Sequence, residues 1–483
     1  MQFKILLITA NSNWLKINEY DLEQLIPPIG HMYLSAYLKK QFAEQVNIQI
    51  IDFLIDINDY DVLAKRIQQF EPDLIGIKGM SIFEKEFIEI SRIGKEYGKA
   101  FVVGGGPYAT AEMNTVLEKS YCDMAIYGEG ELTLAELVDR LMNNKNVDDI
   151  SGTIVRKDGQ IIINKPRGLI EDLDSLPIPD YTAIDLEKYS NYLSYGYNKR
   201  LQGSIFTSRG CPCQCTFCHN IFGKSFRMRN PNHVLEEMIF LYDLGVKDFY
   251  IIDDNFNFDR GRAETILRNI INSKLGGNIK IYFPNGISTN NIDNEFIDLL
   301  AEAGTIWIGY AIETVSPRLQ KMINKVVDIE KLKNAICYSN EKGMIVNYWG
   351  MLGIPTETIE EANELIDFMI SLPPSCIPML FQLKVFPGTK MYESEYFSDS
   401  EKENVNSSYQ NFMALLRKKP KYIPVLEKWN QYLQDEDRLM YILNKFIRNG
   451  YSWNEIKSLQ MTLHKNISIE VLQEMYWKVK NEA

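Results

Sequence analysis

The chain has 483 residues, 45% hydrophobic and 24% charged, with a formal net charge of −12. That length exceeds one ordinary core and points to two or three domains of globular composition. The acidic balance argues against nucleic acid as the main partner, because a broad nucleic-acid footprint needs basic surface.

The opening stretch, MQFKILLITANSNW, turns polar after one short apolar run and lacks the form of an export signal. No stretch approaches the roughly 18 apolar residues of a membrane helix. A cytoplasmic location is expected, where clustered cysteines read as metal ligands or catalysts before disulfides.

Residues 1 to about 150 alternate short apolar runs with amphipathic segments. FKILLITA, VNIQIIDFL, DLIGIKG, AFVVGG and DMAIYGEG suit strands buried on both faces of a parallel sheet, and IGHMYLSAYLKKQF and DVLAKRIQQF suit helices. Repeated βα units predict a doubly wound, Rossmann-like α/β domain with its ligand beyond the strand C-termini. Residues 151–200 read as a connector, with a hairpin turning on Asp158-Gly159 and a proline-interrupted link, LDSLPIPDY.

The alternation resumes near residue 201. GSIFTS, DFYIID, IKIYFPNG, TIWIGYAIE, IVNYWGMLG and MLFQLKVF are strand candidates. Asn230 and Pro231 start the first intervening helix, whose apolar stripe is Val234, Met238, Leu241 and Tyr242. A capping box, Thr358 to Glu361, starts the fifth. Six βα repeats over residues 201–392 predict a partial or full TIM-like barrel with its active face at the strand C-termini. Residues 393–483 have a helical pattern and are expected to cover the barrel or its substrate opening.

Four of the seven cysteines lie in SRGCPCQCTFCHN, directly after the first barrel strand. CTFCH matches a haem attachment pattern, but that attachment goes with export. A structural zinc site wants two separated ligand pairs, and the second pair is missing. The third reading takes Cys211, Cys215 and Cys218 as C-x-x-x-C-x-x-C. Three thiolates on a four-iron cluster leave one iron open, as a catalytic site requires.

That last pattern resembles the radical S-adenosylmethionine (SAM) superfamily. The resemblance implies a [4Fe-4S] cluster on Cys211, Cys215 and Cys218, with SAM on the open iron and Phe217 near its adenine. It leaves Cys213 as a thiol pointing away and His219 as a polar loop residue. IIDDNFNFD is similar to the second-strand ending, which puts Asp253, Asp254 and Asn255 near SAM's polar end. IGYAIETVSPRLQKMINK is similar to the fourth-strand segment, with Glu313 near the amino group or ribose, although Thr314 and Val315 depart from the usual residues. GMLGIPTET is similar to the fifth-strand segment, with Gly350 and Gly353 admitting the adenine, and VFPGTKMY to the sixth-strand ending.

IPPIGHMYLSAYL, VVGGGPYAT, YGEGELTLAEL and LDSLPIPDY resemble the cobalamin (B12)-binding members of that superfamily. The resemblance implies cobalamin against Gly104, Gly105, Gly106, Gly128, Glu129 and Gly130. The D-x-H-x-x-G motif that places a histidine below cobalt is absent, so cobalamin is expected to lack that histidine ligand. His31 is expected on a helix face after Pro28.

By this resemblance the activity is reductive cleavage of SAM to a 5′-deoxyadenosyl radical, hydrogen abstraction from an unreactive carbon, and methyl transfer from cobalamin. The partners implied are a small-molecule or peptide substrate and an electron donor such as flavodoxin or ferredoxin. A non-methylating rearrangement, cyclisation or dehydration is the alternative, and a non-catalytic cobalamin or redox sensor lies behind it. A tRNA methylthiotransferase would carry three cysteines in its first domain, where this chain has only Cys122.

Overall fold

The structure is a computed structural model describing residues 2–11, 26–192, 194, 196, 198–219, 221–398, 402, 414–459 and 467–482. Its first sheet holds β1 (Phe3–Thr9), β2 (Val46–Asp52), β3 (Leu74–Lys78), β4 (Phe101–Gly105), β5 (Met124–Ile126), β6 (Thr153–Lys157) and β7 (Gln160–Ile163) in the order β2-β1-β3-β4-β5-β6-β7. The first five strands are parallel. Alternate side chains of β1 enter different cores. Ile5 and Leu7 pack with Met32, Leu38, Leu134 and Leu137 from helices Ile29–Phe42 and Glu131–Met142. Leu6 and Ile8 pack with Leu63, Ile67, Phe87 and Ile90 from helices Tyr60–Phe70 and Glu84–Tyr97. Both faces are covered, which is why these strands read as continuous apolar runs. The chain runs outward in both directions from β1 and β3, so a crevice opens beyond their C-termini.

The predicted hairpin forms on Asp158 (φ 50°) and Gly159 (φ 77°), the two left-handed residues of a type I′ turn. It does not stand apart in a connector, because β6 pairs antiparallel with β5 and extends the first sheet. The segment that follows ties the two halves together. Asp180 accepts hydrogen bonds from Ser35 and Lys39, and Tyr181 Oη donates to the Ser204 carbonyl and Glu237.

The second sheet is parallel: β8 (Gln202–Ile205), β11 (Asp248–Ile251), β12 (Lys280–Phe283), β13 (Thr305–Glu313), β14 (Ile345–Leu352) and β15 (Ile377–Gln382), paired in that sequence. Among the described residues β8 and β15 do not pair, so the barrel is partial. A two-residue antiparallel pair, β9 (Ser208–Arg209) with β10 (Arg227–Met228), brackets the cysteine loop. β15 begins earlier than the apolar run suggested, and Leu383–Phe386 lie past its end.

The described helices from Glu436 onward cover the barrel's closed end, whereas Leu416 and Tyr422 lie beside Gly353 and Glu357, just past the end of β14. Leu439, Leu443, Phe446, Tyr451 and Tyr476 share a core with Tyr250, Tyr282, Trp307, Ile345 and Ile377, which lie toward the strand N-termini. Asn449 Nδ2 also donates to Gly343 O, just before β14, and Asn449 O accepts Lys280 Nζ at the start of β12. No helix among the described residues is long and apolar enough to cross a membrane.

Candidate active site

The cysteine loop leaves β9, returns through β10, and is pinned at several points. A β-carbon on Gly210 (φ +84°) would collide with the Ser225 carbonyl oxygen, so only glycine fits immediately before Cys211. Cys211 N donates to Gly223 O, Thr216 N to Ile323 O, and Met391 N to Thr216 O. Phe217 packs against a small core that includes Ile323, Met351, Leu383, Val385 and Met391. The VFPGTKMY segment therefore backs the cysteine loop.

Cys211 and Cys215 are half-buried, whereas Cys213 and Cys218 are exposed. Cys211 is not isolated from Cys213. Their thiols share a hydrogen bond that pulls Cys213 down to about 7 and pushes Cys211 up. Cys213 therefore neighbours Cys211 within the loop. His219 is half-buried, with Nε2 3.5 Å from the β-carbon position of Gly388.

Burial raises the pKa of Cys215 and Cys218, and two cations partly oppose that rise. Lys224 Nζ donates to Cys213 O at 2.7 Å, and Lys325 lies close enough to act electrostatically on Cys213, Cys215 and Cys218. Burial opposes the charge on Lys325, but Glu313 and the thiols outweigh it and raise its pKa. Lys325 Nζ meets Glu313 Oε1 at 2.8 Å. Glu313 follows a bulge in β13 and is left-handed (φ 57°), a strained state for a non-glycine residue that turns its carboxylate toward the loop. Sequence reasoning missed Lys325; the only signal was its place at the end of the KMINK run.

The β11 ending divides by role. Asp253 is fully engaged: it accepts Thr207 N at 2.6 Å and the hydroxyls of Thr207 and Ser208. It fixes the entrance to the loop instead of facing a ligand. Asp254 is exposed and accepts the Gly210 N–H. Asn255 Nδ2 lies 4.0 Å from Cys211 Sγ, and its buried Oδ1 has no partner among the described residues. Such an orphaned acceptor beside three clustered thiols fits a polar ligand at an iron–sulfur cluster.

A β-carbon on Gly350 would lie 2.5 Å from Met369 Sδ, and one on Gly353 3.2 Å from Leu416 Cδ2. Helix Ile359–Ile370 fills the space at Gly350, whereas Gly353 is left-handed (φ 84°), which itself calls for glycine.

A second site lies between the sheets. A cavity of about 260 Å³ is lined by the ends of β1, β3, β4 and β5, by helix Ile29–Phe42, and from the barrel by Phe206, Arg209, Ile221 and Phe222. Gly104, Gly105, Gly106, Gly128, Glu129 and Gly130 all line it. They serve it differently. A β-carbon on Gly104 would lie 2.7 Å from Phe87, so packing explains it; Gly106 is left-handed (φ 82°) and a β-carbon there would lie 2.7 Å from Lys78. Gly105 has only carbonyl oxygens at 3.9 and 4.0 Å, and Gly128 has nothing within 4 Å. These two leave backbone bare toward the cavity, and at Gly128 the left-handed backbone (φ 76°) also favours glycine.

His31 is 2% exposed and lines the cavity, with Nδ1 3.1 Å from Thr9 Oγ1. Burial, then Lys78, holds its pKa down to about 3, so the imidazole is neutral. Lys78 also lines the cavity, and burial lowers its pKa.

The Glu129 carboxylate is not free for a ligand. It accepts Arg209 Nη1 at 2.9 Å, Arg227 Nη1 at 2.8 Å and Ile170 N at 2.9 Å, while Arg209 Nη2 reaches Glu131 at 2.7 Å. All four ionic side chains are at most 7% exposed. This buried cluster joins the cavity wall to the two strands that carry the cysteine loop.

The architecture is thus a two-site cofactor enzyme: a glycine-floored crevice on a doubly wound domain faces a partial barrel with a three-cysteine loop. Residues 19–138 match the B12 binding domain and residues 205–369 the Radical SAM superfamily, and the chain belongs to the cobalamin-binding radical SAM enzymes. It is similar to an uncharacterized methyltransferase of Pyrococcus horikoshii, 29% identical over 373 residues that span 76% of this chain and 78% of that protein. It is also similar to the anaerobic magnesium-protoporphyrin IX monomethyl ester cyclase of Rubrivivax gelatinosus, 28% identical over 353 residues, 70% of this chain and 61% of that one. Among solved structures, the radical SAM methyltransferase TsrM of Kitasatospora setae, with cobalamin and a [4Fe-4S] cluster bound, shares the fold. Its TM-score is 0.67 at 20% identity, covering 81% of this chain and 74% of that one.

Proposed function

We propose that this protein is a cobalamin-dependent radical SAM C-methyltransferase acting on a small-molecule or peptide substrate. The observation that carries this reading is the shared wall. Arg209 lines the cavity and belongs to the strand that leads into the cysteine loop, so two cofactors bound there would be neighbours. When bound, the cluster with SAM supplies a 5′-deoxyadenosyl radical and cobalamin supplies a methyl group.

The chain's own residues hold and orient these groups. Cys211, Cys215 and Cys218 ligate the cluster; Lys325 favours the thiolates of Cys215 and Cys218, and Lys224 that of Cys218. Asn255, Asp254 and the Glu313–Lys325 pair hold SAM's polar end, and Phe217 its adenine side. Gly105 and Gly128 give the corrin backbone contact, and the apolar walls exclude water. Flavodoxin or ferredoxin in the cytoplasm is the electron donor we infer.

The test is anaerobic reconstitution with cobalamin and SAM labelled in its methyl group. Reduced protein is expected to form 5′-deoxyadenosine and to move label onto cobalamin. Bound cobalamin that never acquires label would remove the methylation reading. The similarity to the cyclase favours one alternative, a non-methylating cyclisation, for which 5′-deoxyadenosine forms without label transfer.

A further inference from the structure

We propose that Trp349 is a stacking platform for the substrate, and that the pocket it floors takes a planar, conjugated group carrying an N–H or O–H donor. The proposal names a substrate class for the radical SAM reading above and rests on that reading. β14 alternates between two surroundings. Tyr348 donates its hydroxyl to Met369 O and Gly350 abuts Met369 Sδ, so both face helix Ile359–Ile370 outside the barrel. Asn347, Trp349 and Met351 therefore face the lumen. The Trp349 ring reaches sideways from β14 across β13. A β-carbon on Gly309 would collide with its Cη2, and one on Gly286, just past β12, would lie 2.7 Å from its Cζ3. Two strands thus leave out side chains where this ring is seated. Its indole N–H donates to Met379 Sδ on β15 at 3.3 Å, so the ring is fixed before a ligand arrives.

The ring is half-buried, and its exposed part looks into the barrel mouth. Helix Ile359–Ile370 covers the outside of β14, and the helices from Glu436 onward close the other end. Trp349 pairs with Ala311, two residues before Glu313. A group resting on the ring therefore lies deeper in the barrel than Glu313 at the strand end. With its N–H and one edge already occupied, the ring offers a face, and a face selects flat π systems. Asn347 adds a second preference. It is 5% exposed, one inward-facing step below Trp349, and its buried Oδ1 has no partner among the described residues. That oxygen lies 3.0 Å from the same Gly309 β-carbon position that Trp349 Cη2 crowds, so acceptor and ring border one spot. A buried acceptor left open there calls for a donor on the incoming group.

The experiment reconstitutes the full chain with its cluster under anaerobic conditions, adds SAM, and titrates three probes by saturation-transfer NMR. Carbostyril is flat and carries a lactam N–H. Coumarin has the same flat shape with oxygen in place of that N–H. The fully ring-saturated counterpart of carbostyril keeps the N–H and loses the π face. Wild-type protein is expected to bind carbostyril about tenfold more tightly than either of the others. W349L should erase its advantage over the saturated lactam, W349F should retain most of it, and N347L should erase its advantage over coumarin. Equal binding of flat and saturated lactams to wild type, or an advantage that survives W349L, overturns the platform. An advantage over coumarin that survives N347L overturns the donor assignment. If W349L loses its cluster, the order of the three probes on wild type decides alone. Formation of 5′-deoxyadenosine by the same wild-type preparation reports separately on the radical SAM reading. Protein that forms it without discriminating among the probes loses this proposal alone, whereas protein that discriminates but forms none loses the functional reading on which the proposal rests.

Discussion

Cys211, Cys215 and Cys218 are set apart from Cys213 by spacing, not by isolation, since Cys211 and Cys213 touch. Replacing any of the three with alanine is expected to abolish the iron–sulfur absorbance and 5′-deoxyadenosine formation, while C213A retains both. Loss of iron in C213A alone would overturn that ligand assignment. The triad was legible because its information is local, within one loop. Lys325, Arg209 and Arg227 were not, because nothing in their own surroundings shows that the fold returns them to residues far away in sequence. Asp52 carries a second prediction. It is buried at the end of β2, where it accepts Asn11 Nδ2 at 2.8 Å and Tyr189 Oη at 3.2 Å. Burial raises its pKa from 3.8 to about 6. The folded state therefore holds the proton more tightly than the unfolded chain. The stability this adds is fully present below pH about 4 and is lost as pH rises toward and past 6, by about 3 kcal/mol at roughly 1.4 kcal/mol per unit. Urea unfolding of wild type and D52N across that range should show the wild-type advantage shrinking as pH rises. A constant difference would refute it.

At the scale of elements, periodicity was a good guide where an element is long. The helix from Pro231 to Asp243 starts as read, with the Asn230 side chain accepting Asn232 N and Val234, Met238 and Leu241 buried. β9 and β10 escaped notice because two residues carry no periodicity, yet they bracket the cysteine loop. The bulge before Glu313 was equally hidden, since its cause is strand pairing rather than local propensity. The capping box at Thr358 is present, and Glu361 also accepts Ser316 Oγ and Arg318. T358A should cost about 1 kcal/mol, the usual loss for an N-cap. E361A should cost more, because it also strips the Arg318 and Ser316 partners. Equal losses in thermal or urea unfolding would show that those two bonds contribute nothing.

For the whole molecule, the decisive contact is the buried ion cluster between the two sheets. The YGEGELT motif was read as cofactor-binding, and its glycines do line the cavity, but Glu129 and Glu131 spend their carboxylates on Arg209 and Arg227. Sequence alone could not separate these roles, because a glutamate on a cavity wall looks the same whether it faces ligand or arginine. In E129Q, Arg227 keeps the Ile170 and Phe222 carbonyls and an amide oxygen in place of the carboxylate, and a buried guanidinium is left without its counter-charge. Removing one partner of such a pair costs roughly 3–5 kcal/mol. R227Q should cost a similar amount, and the double variant less than the two losses added, because the penalty of a lone charge disappears once both are gone. The cluster also sets how the cavity meets the cysteine loop, so E129Q should retain less cobalamin after gel filtration and less iron after reconstitution, in parallel. If the two single losses add to within about 0.5 kcal/mol, or if cobalamin falls while iron is unchanged, the cluster is not what couples the two sites.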